Sequence, residues 1–221
     1  MTIFKFKQIS STNDLAKDYS IGSILIAETQ ANGHGRFKRT WSSNKGGIYL
    51  SIVLPKIDQP QLYTFIGCLA AYKAVKEITK IKTVIKWPND LYYEKKKVCG
   101  ILTTNLEDKT IVGIGINVNN KTPLHLNTKS TNLKSILKKE INKENILKSL
   151  IKNLNSYTKK INKKKIFEDW KKYSFLGDKV KVKTMNKTFE GIAYNLDNEG
   201  FLIIKKDNKK IKIIEGDVFI Q

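Results

Sequence analysis

Residues 86–102 read Lys86-Trp87-Pro88-Asn89-Asp90-Leu91, then a short hinge, then Lys97-Val98-Cys99-Gly100-Ile101-Leu102. Two lysines, an amide and a carboxylate gather around an aromatic–proline turn, with a glycine beside an apolar run. Two cations near one carboxylate suit a polyphosphate and a metal ion. Packing alone gives no reason for Trp, Pro, Asn and Asp in that order after a β-rich run. The plain alternative is a hairpin turn with two solvated lysines.

The rest of the chain supplies a scaffold around this stretch. Thr83 to Trp87 reads as a strand, as do Val98 to Thr104 and Thr110 to Val118. Upstream, residues 3–9 alternate as a strand, and Ser10-Ser11-Thr12-Asn13-Asp14 offers caps for a short helix to about Tyr19. Ile24 to Ala27 is a buried strand, and Ile48 to Leu54 is a strong one that stops at Pro55. Residues 61–79 carry helical periodicity at Leu62, Phe65, Ile66, Leu69, Ala70 and Val75. Residues 133–160 read as one lysine-rich helix, and Ile166 to Tyr173 as another. Beyond Tyr173, Val180 and Val182 alternate with lysines. Phe189 to Ala193, Phe201 to Ile204 and Lys210 to Ile214 are short strands, with turn chemistry at residues 197–200 and at Asp207-Asn208. Such closely spaced strands make a small barrel. The chain is therefore α+β: a mixed sheet with flanking helices over 1–173, then a small C-terminal β-barrel over 174–221.

Composition narrows the function classes. A chain of 221 residues, 40% hydrophobic, can bury a substantial core. The formal charge of +21 is nearly all lysine, spread along the chain beside abundant Asn and Ile. That trio is what an AT-rich genome writes at permissive positions, so a solvated basic surface is expected. A lysine-rich nucleic-acid-binding module is the competing reading, and it would usually add arginine, interleaved aromatics or a recognition helix. Two cysteines make neither a disulfide framework nor a metal knuckle. With no apolar run of membrane-span length and no cleavable leader, a reducing, cytoplasmic setting is expected.

Three further constellations carry chemistry. In the polar loop from Glu28 to Trp41, Gly33 and Gly35 let the backbone approach an anion, and Arg36, Lys38 and Arg39 supply cations. Trp41 offers a flat face to a ring. The loop does not end as a Walker loop does, and a disordered basic loop is its alternative. Ser11-Thr12-Asn13 can bind a neutral urea or amide, or serve as an ordinary helix cap. Gly113-Ile114-Gly115-Ile116-Asn117 lacks the third glycine and the helix of a dinucleotide fingerprint. Its glycines let a ligand lie on the strand and Asn117 presents an amide, unless the pair marks a simple bulge.

These elements, in this order and over essentially the whole chain, resemble the biotin protein ligases. A C-terminal Gly-Asp-x-Val…Glu-Gly…Asp-x-x-Gly…Gly-Asp-Val pattern from Gly177 to Val218 adds to the resemblance. It implies a class II synthetase-like, biotin/lipoate ligase fold with an SH3-like cap. It also implies synthesis of biotinyl-5′-AMP from biotin and ATP with Mg²⁺, then transfer of biotin to one lysine of a carrier. The carrier would be the biotin carboxyl carrier domain of acetyl-CoA carboxylase or of another biotin-dependent carboxylase. By the resemblance, Ser11, Thr12, Asn13 and Gln30 face biotin. Gly33, His34, Gly35, Arg36, Lys97, Gly100, Leu102, Gly113 and Gly115 complete its pocket. Arg36, Arg39, Trp41, Lys86, Asn89 and Asn117 fall on nucleotide positions. Asp90 falls on a metal position, and Lys97 matches the lysine that reaches the reacting carboxylate and α-phosphate. Lys97, Arg36 and Asp90 form the catalytic set.

The sequence departs from the family in the loop. Where members usually read Gly-Arg-Gly-Arg-Arg-Gly-Arg, this chain has His34 for the first arginine, Phe37 for one of the doublet and Lys38 for the third glycine. Weaker retention of the adenylate is the expected consequence. Thr104 stands where many members carry a glutamate and receives no role. The chain opens on the first catalytic strand with no helix-turn-helix before it. The resemblance is thus to the short, non-repressor ligases, without sequence-specific DNA binding; a homodimer is possible. The rival within the fold is a lipoate–protein ligase or octanoyltransferase, the latter needing a cysteine nucleophile.

Overall fold

The computed structural model describes residues 1–123, 129–207 and 209–221. Asn208, half of the turn expected at 207–208, lies outside the described residues. The main sheet contains β1 (Thr2–Ile9), β2 (Ser23–Gln30), β3 (Ile48–Pro55), β4 (Val84–Lys86), β5 (Asp90–Tyr93), β6 (Lys96–Asn105) and β7 (Lys109–Ile116). Their spatial order is β1-β2-β3-β7-β6-β5-β4. β1 and β2 run parallel, and the other neighbouring pairs are antiparallel.

Side-chain alternation gives the two faces different work. Leu50, Ile52 and Leu54 of β3, Cys99 and Ile101 of β6, and Val112, Ile114 and Ile116 of β7 join the main core with α2 (Gln61–Thr79). The alternate residues, among them Ser51, Gly100, Leu102, Gly113 and Gly115, fall on the opposite face. There α1 (Thr12–Leu15) and the turn after it cover only one end, where Ala16, Leu25, Val53 and Ile111 make a small second cluster. The uncovered remainder of that face is the floor of the site.

Two expectations need correction. Residues 133–160 are not one helix. α3 (Leu133–Leu137) ends at Lys138 in the left-handed conformation, and α4 (Lys143–Thr158) restarts where Asn142 accepts from the backbone N–H groups of Glu144 and Asn145. The hinge after Leu91 is also no hinge. β5 runs to Tyr93 and returns into β6 through Glu94 and Lys95, both at positive φ, as a tight hairpin requires. α5 (Lys163–Tyr173), capped by Asn162, completes the helical layer.

The C-terminal strands are β8 (Lys179–Lys183), β9 (Thr188–Leu196), β10 (Leu202–Lys206), β11 (Lys209–Ile213) and β12 (Asp217–Ile220). They form an SH3-like antiparallel sheet in the order β11-β10-β9-β8-β12. It docks against an aromatic seam between α2 and α5. The Phe65 ring meets Phe167 and Trp170 edge-on at 5.3 and 5.4 Å, and Trp170 meets Phe175 at 6.3 Å. Trp87 Nε1 donates to the Gly200 carbonyl at 3.0 Å. Gly200 has φ +88°, and a Cβ there would fall 2.7 Å from the Phe65 ring. No helix among the described residues is long and apolar enough to cross a membrane.

Candidate active site

Strand register draws two cross-strand rows on the uncovered face. The first is Lys86–Asp90–Gly100–Gly115–Tyr49, spanning β4, β5, β6, β7 and β3. The second, two residues along, is Leu102–Gly113–Ser51. Above them opens a cleft of 540 Å³. Of the residues that the resemblance assigns to the site, all but Gly33 line it; Lys38, also singled out as a cation, does not. Gly33 sits behind the wall, where a Cβ would strike Ser43 Oγ at 2.5 Å.

A polar shelf lies over the second row. Gln30 Oε1 accepts from Thr12 N (2.7 Å) and Thr12 Oγ1 (3.0 Å). Ser51 Oγ donates to Thr12 Oγ1 at 2.8 Å, and Gln30 Nε2 donates to Ser43 Oγ at 2.7 Å. Asn13 Nδ2 reaches the Leu102 carbonyl at 3.5 Å, while Thr104 Oγ1 donates to Asn13 Oδ1 at 2.8 Å. Thr104, given no role from the sequence, thus orients Asn13. Each shelf side chain is held by another, so the group of small hydroxyls and amides is preorganised before a ligand arrives. Ser11 Oγ accepts from Asp14 N as the cap of α1.

The cations lie over the first row. Lys97 Nζ stands 2.6 Å from Asp90 Oδ1, an ion pair without hydrogen-bond alignment. Lys86 Nζ is 4.0 Å from Asp90 Oδ2 and donates to Tyr92 Oη (2.8 Å) and the Val218 carbonyl (2.9 Å). Burial pushes the Lys86 ammonium down to about 8, against the pull of Asp90. Burial also lowers the Arg36 guanidinium, partly offset by Asp90. Arg36 reaches Asn89 Oδ1 at 3.5 Å, and Asn89 Nδ2 donates to the Ile101 carbonyl at 2.7 Å. The Trp41 indole rests on the glycine pair: a Cβ on Gly115 would fall 2.6 Å from the ring, and one on Gly100 3.0 Å. Lys97 Nζ lies 5.1 Å from the centre of the same ring.

The loop expected to be basic and glycine-borne forms a small hairpin. Gly35 N donates to the Arg39 carbonyl and Trp41 N to the Gly33 carbonyl, each at 2.8 Å. Its tip holds Phe37 and Lys38 at φ 55°, a conformation that favours glycine. Arg36 and Arg39 lie 4.9 and 5.5 Å from the exposed Phe37 ring. Arg39 is engaged bidentately by Asp217 of β12, at 2.9 and 2.6 Å, which holds Asp217 below the usual carboxylate range. The His34 ring turns to Asp14. Asn117 offers less than expected: its Nδ2 donates to the Thr131 carbonyl and its Oδ1 accepts from Asn120. It fastens the segment whose backbone pairs with Lys97 through Lys129 and Thr131.

Sequence reasoning missed Ser51, Tyr92, Asp217 and Val218. Ser51 had a signal, as the one polar residue inside Ile48-Tyr49-Leu50-Ser51-Ile52-Val53-Leu54. Tyr92 lies only six residues from Lys86 but on the next strand, and Asp217 and Val218 depend on contacts between distant elements.

Among known proteins, residues 5–120 match the biotin/lipoate A/B protein ligase family, and residues 175–220 match the biotin protein ligase C-terminal domain. The chain belongs to the biotin/lipoate A/B protein ligase family. It is 32% identical over 216 residues to the bifunctional ligase/repressor BirA of Bacillus subtilis, covering 89% of this chain and 66% of that protein. It is 25% identical to the biotin–[acetyl-CoA-carboxylase] ligase of Mycobacterium tuberculosis, covering 89% and 78%. The biotin protein ligase of Aquifex aeolicus, solved with biotin and ATP, superposes with a TM-score of 0.86 at 31% identity. That match covers 100% of this chain and 98% of the Aquifex chain.

Proposed function

We infer that this chain is a biotin protein ligase. It condenses biotin with ATP into biotinyl-5′-AMP, then transfers the biotinyl group to a lysine of a biotin carboxyl carrier domain. The observation that carries this reading is the pair of rows. A neutral polar shelf and a cationic end share one cleft whose floor is glycine backbone. The shelf of Ser11, Thr12, Asn13 and Gln30 suits the ureido head. The glycines seat the Trp41 ring directly on the strands, so that it walls the cleft beside the shelf.

The chemistry needs charge neutralisation more than a protein nucleophile. A carboxylate attacks the α-phosphorus of a polyanion: one C–O–P bond forms, the bond to the β-phosphate breaks, and pyrophosphate leaves. Lys97 neutralises the carboxylate and α-phosphate as they meet, Arg36 and Arg39 take the phosphates, and Asp90 fixes the Lys97 ammonium. A carrier amine then attacks the acyl carbon, forming an amide as AMP departs. Both cysteines are buried, and burial raises their thiols, which disfavours the octanoyltransferase reading. Free thiols also suit the reducing, cytoplasmic setting.

Mg²⁺ fits the protein poorly. Asp90 faces an ammonium with each oxygen. No group of three His, Cys, Asp or Glu side chains among the described residues could hold a metal. A divalent ion suits the nucleotide's own phosphates better. Residues 174–221 serve residues 1–173 by bringing Asp217 and the Val218 carbonyl to Arg39 and Lys86.

Biotin-dependent exchange of pyrophosphate into ATP, followed by labelling of a carboxylase carrier domain, tests the reading. Both are expected. Exchange driven by lipoate instead of biotin, or no exchange at all, overturns it.

A further inference from the structure

Asp14 has no part in the chemistry above, yet it is tied to the loop that flanks the cleft. His34 Nε2 lies 2.9 Å from Asp14 Oδ2, across twenty residues of sequence, and Lys17 Nζ lies 2.9 Å from Oδ1. Burial works against the Asp14 charge, but hydrogen bonds from Lys17 and His34 outweigh it and hold the carboxyl below its ordinary range. An ionised carboxylate only accepts, so Nε2 carries the proton in this contact.

The contact joins two bodies that the reaction needs together. Asp14 follows Thr12 and Asn13 of the polar shelf in α1. His34 bridges to Thr40 at the base of the hairpin, so its position sets both arms of the loop. At the tip of those arms stand Arg36 and Arg39.

We propose that Asp14 is a positioning residue that latches the 33–41 loop to α1 through His34. Shelf and cationic tip then move as one body, and the activated intermediate stays covered. The identity of that intermediate rests on the function proposed above; the latch does not.

Tryptic cleavage at Arg36, Lys38 and Arg39, mapped by mass spectrometry on the unliganded full chain, reads loop opening without any activity. Asp14→Asn and His34→Gln should each raise the initial cleavage rate about threefold, the scale of a partly exposed charged pair. The double variant should add nothing further. Lys17→Gln, which leaves the His34 contact in place, should match the wild type. Escape of biotinyl-AMP from preloaded protein should rise in the same two single variants. Unchanged cleavage in both, or an additive double variant, overturns the latch. If Asp14→Asn opens the loop while wild-type protein makes no biotinyl-AMP, the latch stands and the proposed substrate falls.

Discussion

Lys97 and Lys86 share one carboxylate but sit in different surroundings, and the difference predicts different failures. Lys97 is the more exposed, ion-paired to Asp90 and close to Trp41. Lys97→Ala should lower pyrophosphate exchange by on the order of 100-fold or more while leaving the melting temperature nearly unchanged. Lys86 is mostly enclosed, and burial pulls its ammonium down to about 8. The unfolded chain keeps the ammonium proton up to the ordinary lysine range, so between about 8 and that range the folded state binds fewer protons. Raising the pH through this window therefore stabilises the fold while removing a positive charge from the cleft. Exchange should fall above about pH 8, and Lys86→Arg should move that limb upward, as a pH–rate profile will read. At this scale most of the site was legible in advance, because Lys86, Asn89, Asp90, Lys97 and the shelf residues are chemically conspicuous. The duties of Thr104, Asn117 and His34 were not, since each is decided by a partner far along the chain.

Among elements, the antiparallel pairing of β6 with β7 does the most to shape the cleft. It sets Gly100 opposite Gly115 and leaves the floor bare for Trp41. Gly115→Ala would push its Cβ to 2.6 Å from the indole. The ring must move, and exchange should fall on the order of 10–100-fold with an intact circular dichroism spectrum, the usual cost of misplacing a ligand platform. Strands and helices with clean periodicity, such as β3 and α2, were readable from the sequence. β5 was not, because it is four residues long and its turn uses Glu94-Lys95 in place of Asn-Gly. The break before α4 was equally hidden: Lys138 to Asn142 continue the lysine-rich pattern, and only the left-handed Lys138 and the Asn142 cap reveal it.

Across the whole molecule, the composition change near residue 174 was visible, but the aromatic seam was not, because it joins rings from sequence positions about a hundred residues apart. The C-terminal strands pack on it, so that Val180, Val182, Ala193 and Leu202 join the main core. Gly200→Ala would place a Cβ 2.7 Å from Phe65 at a φ of +88°. We expect a loss of about 2–3 kcal/mol, read by chemical denaturation. A chain ending at residue 173 loses Gly200, which lies against Phe65 and Phe167, and leaves Trp87 without its carbonyl. It should melt more than about 10 °C lower than the full chain. Three indoles divide themselves between these regions: Trp87 and Trp170 are buried to 3% and 0% exposure, while Trp41 opens onto the cleft. Intrinsic fluorescence therefore carries a built-in optical probe. Two emitters give a constant background, and the third should quench or shift as substrates enter, so occupancy can be titrated without attaching any dye.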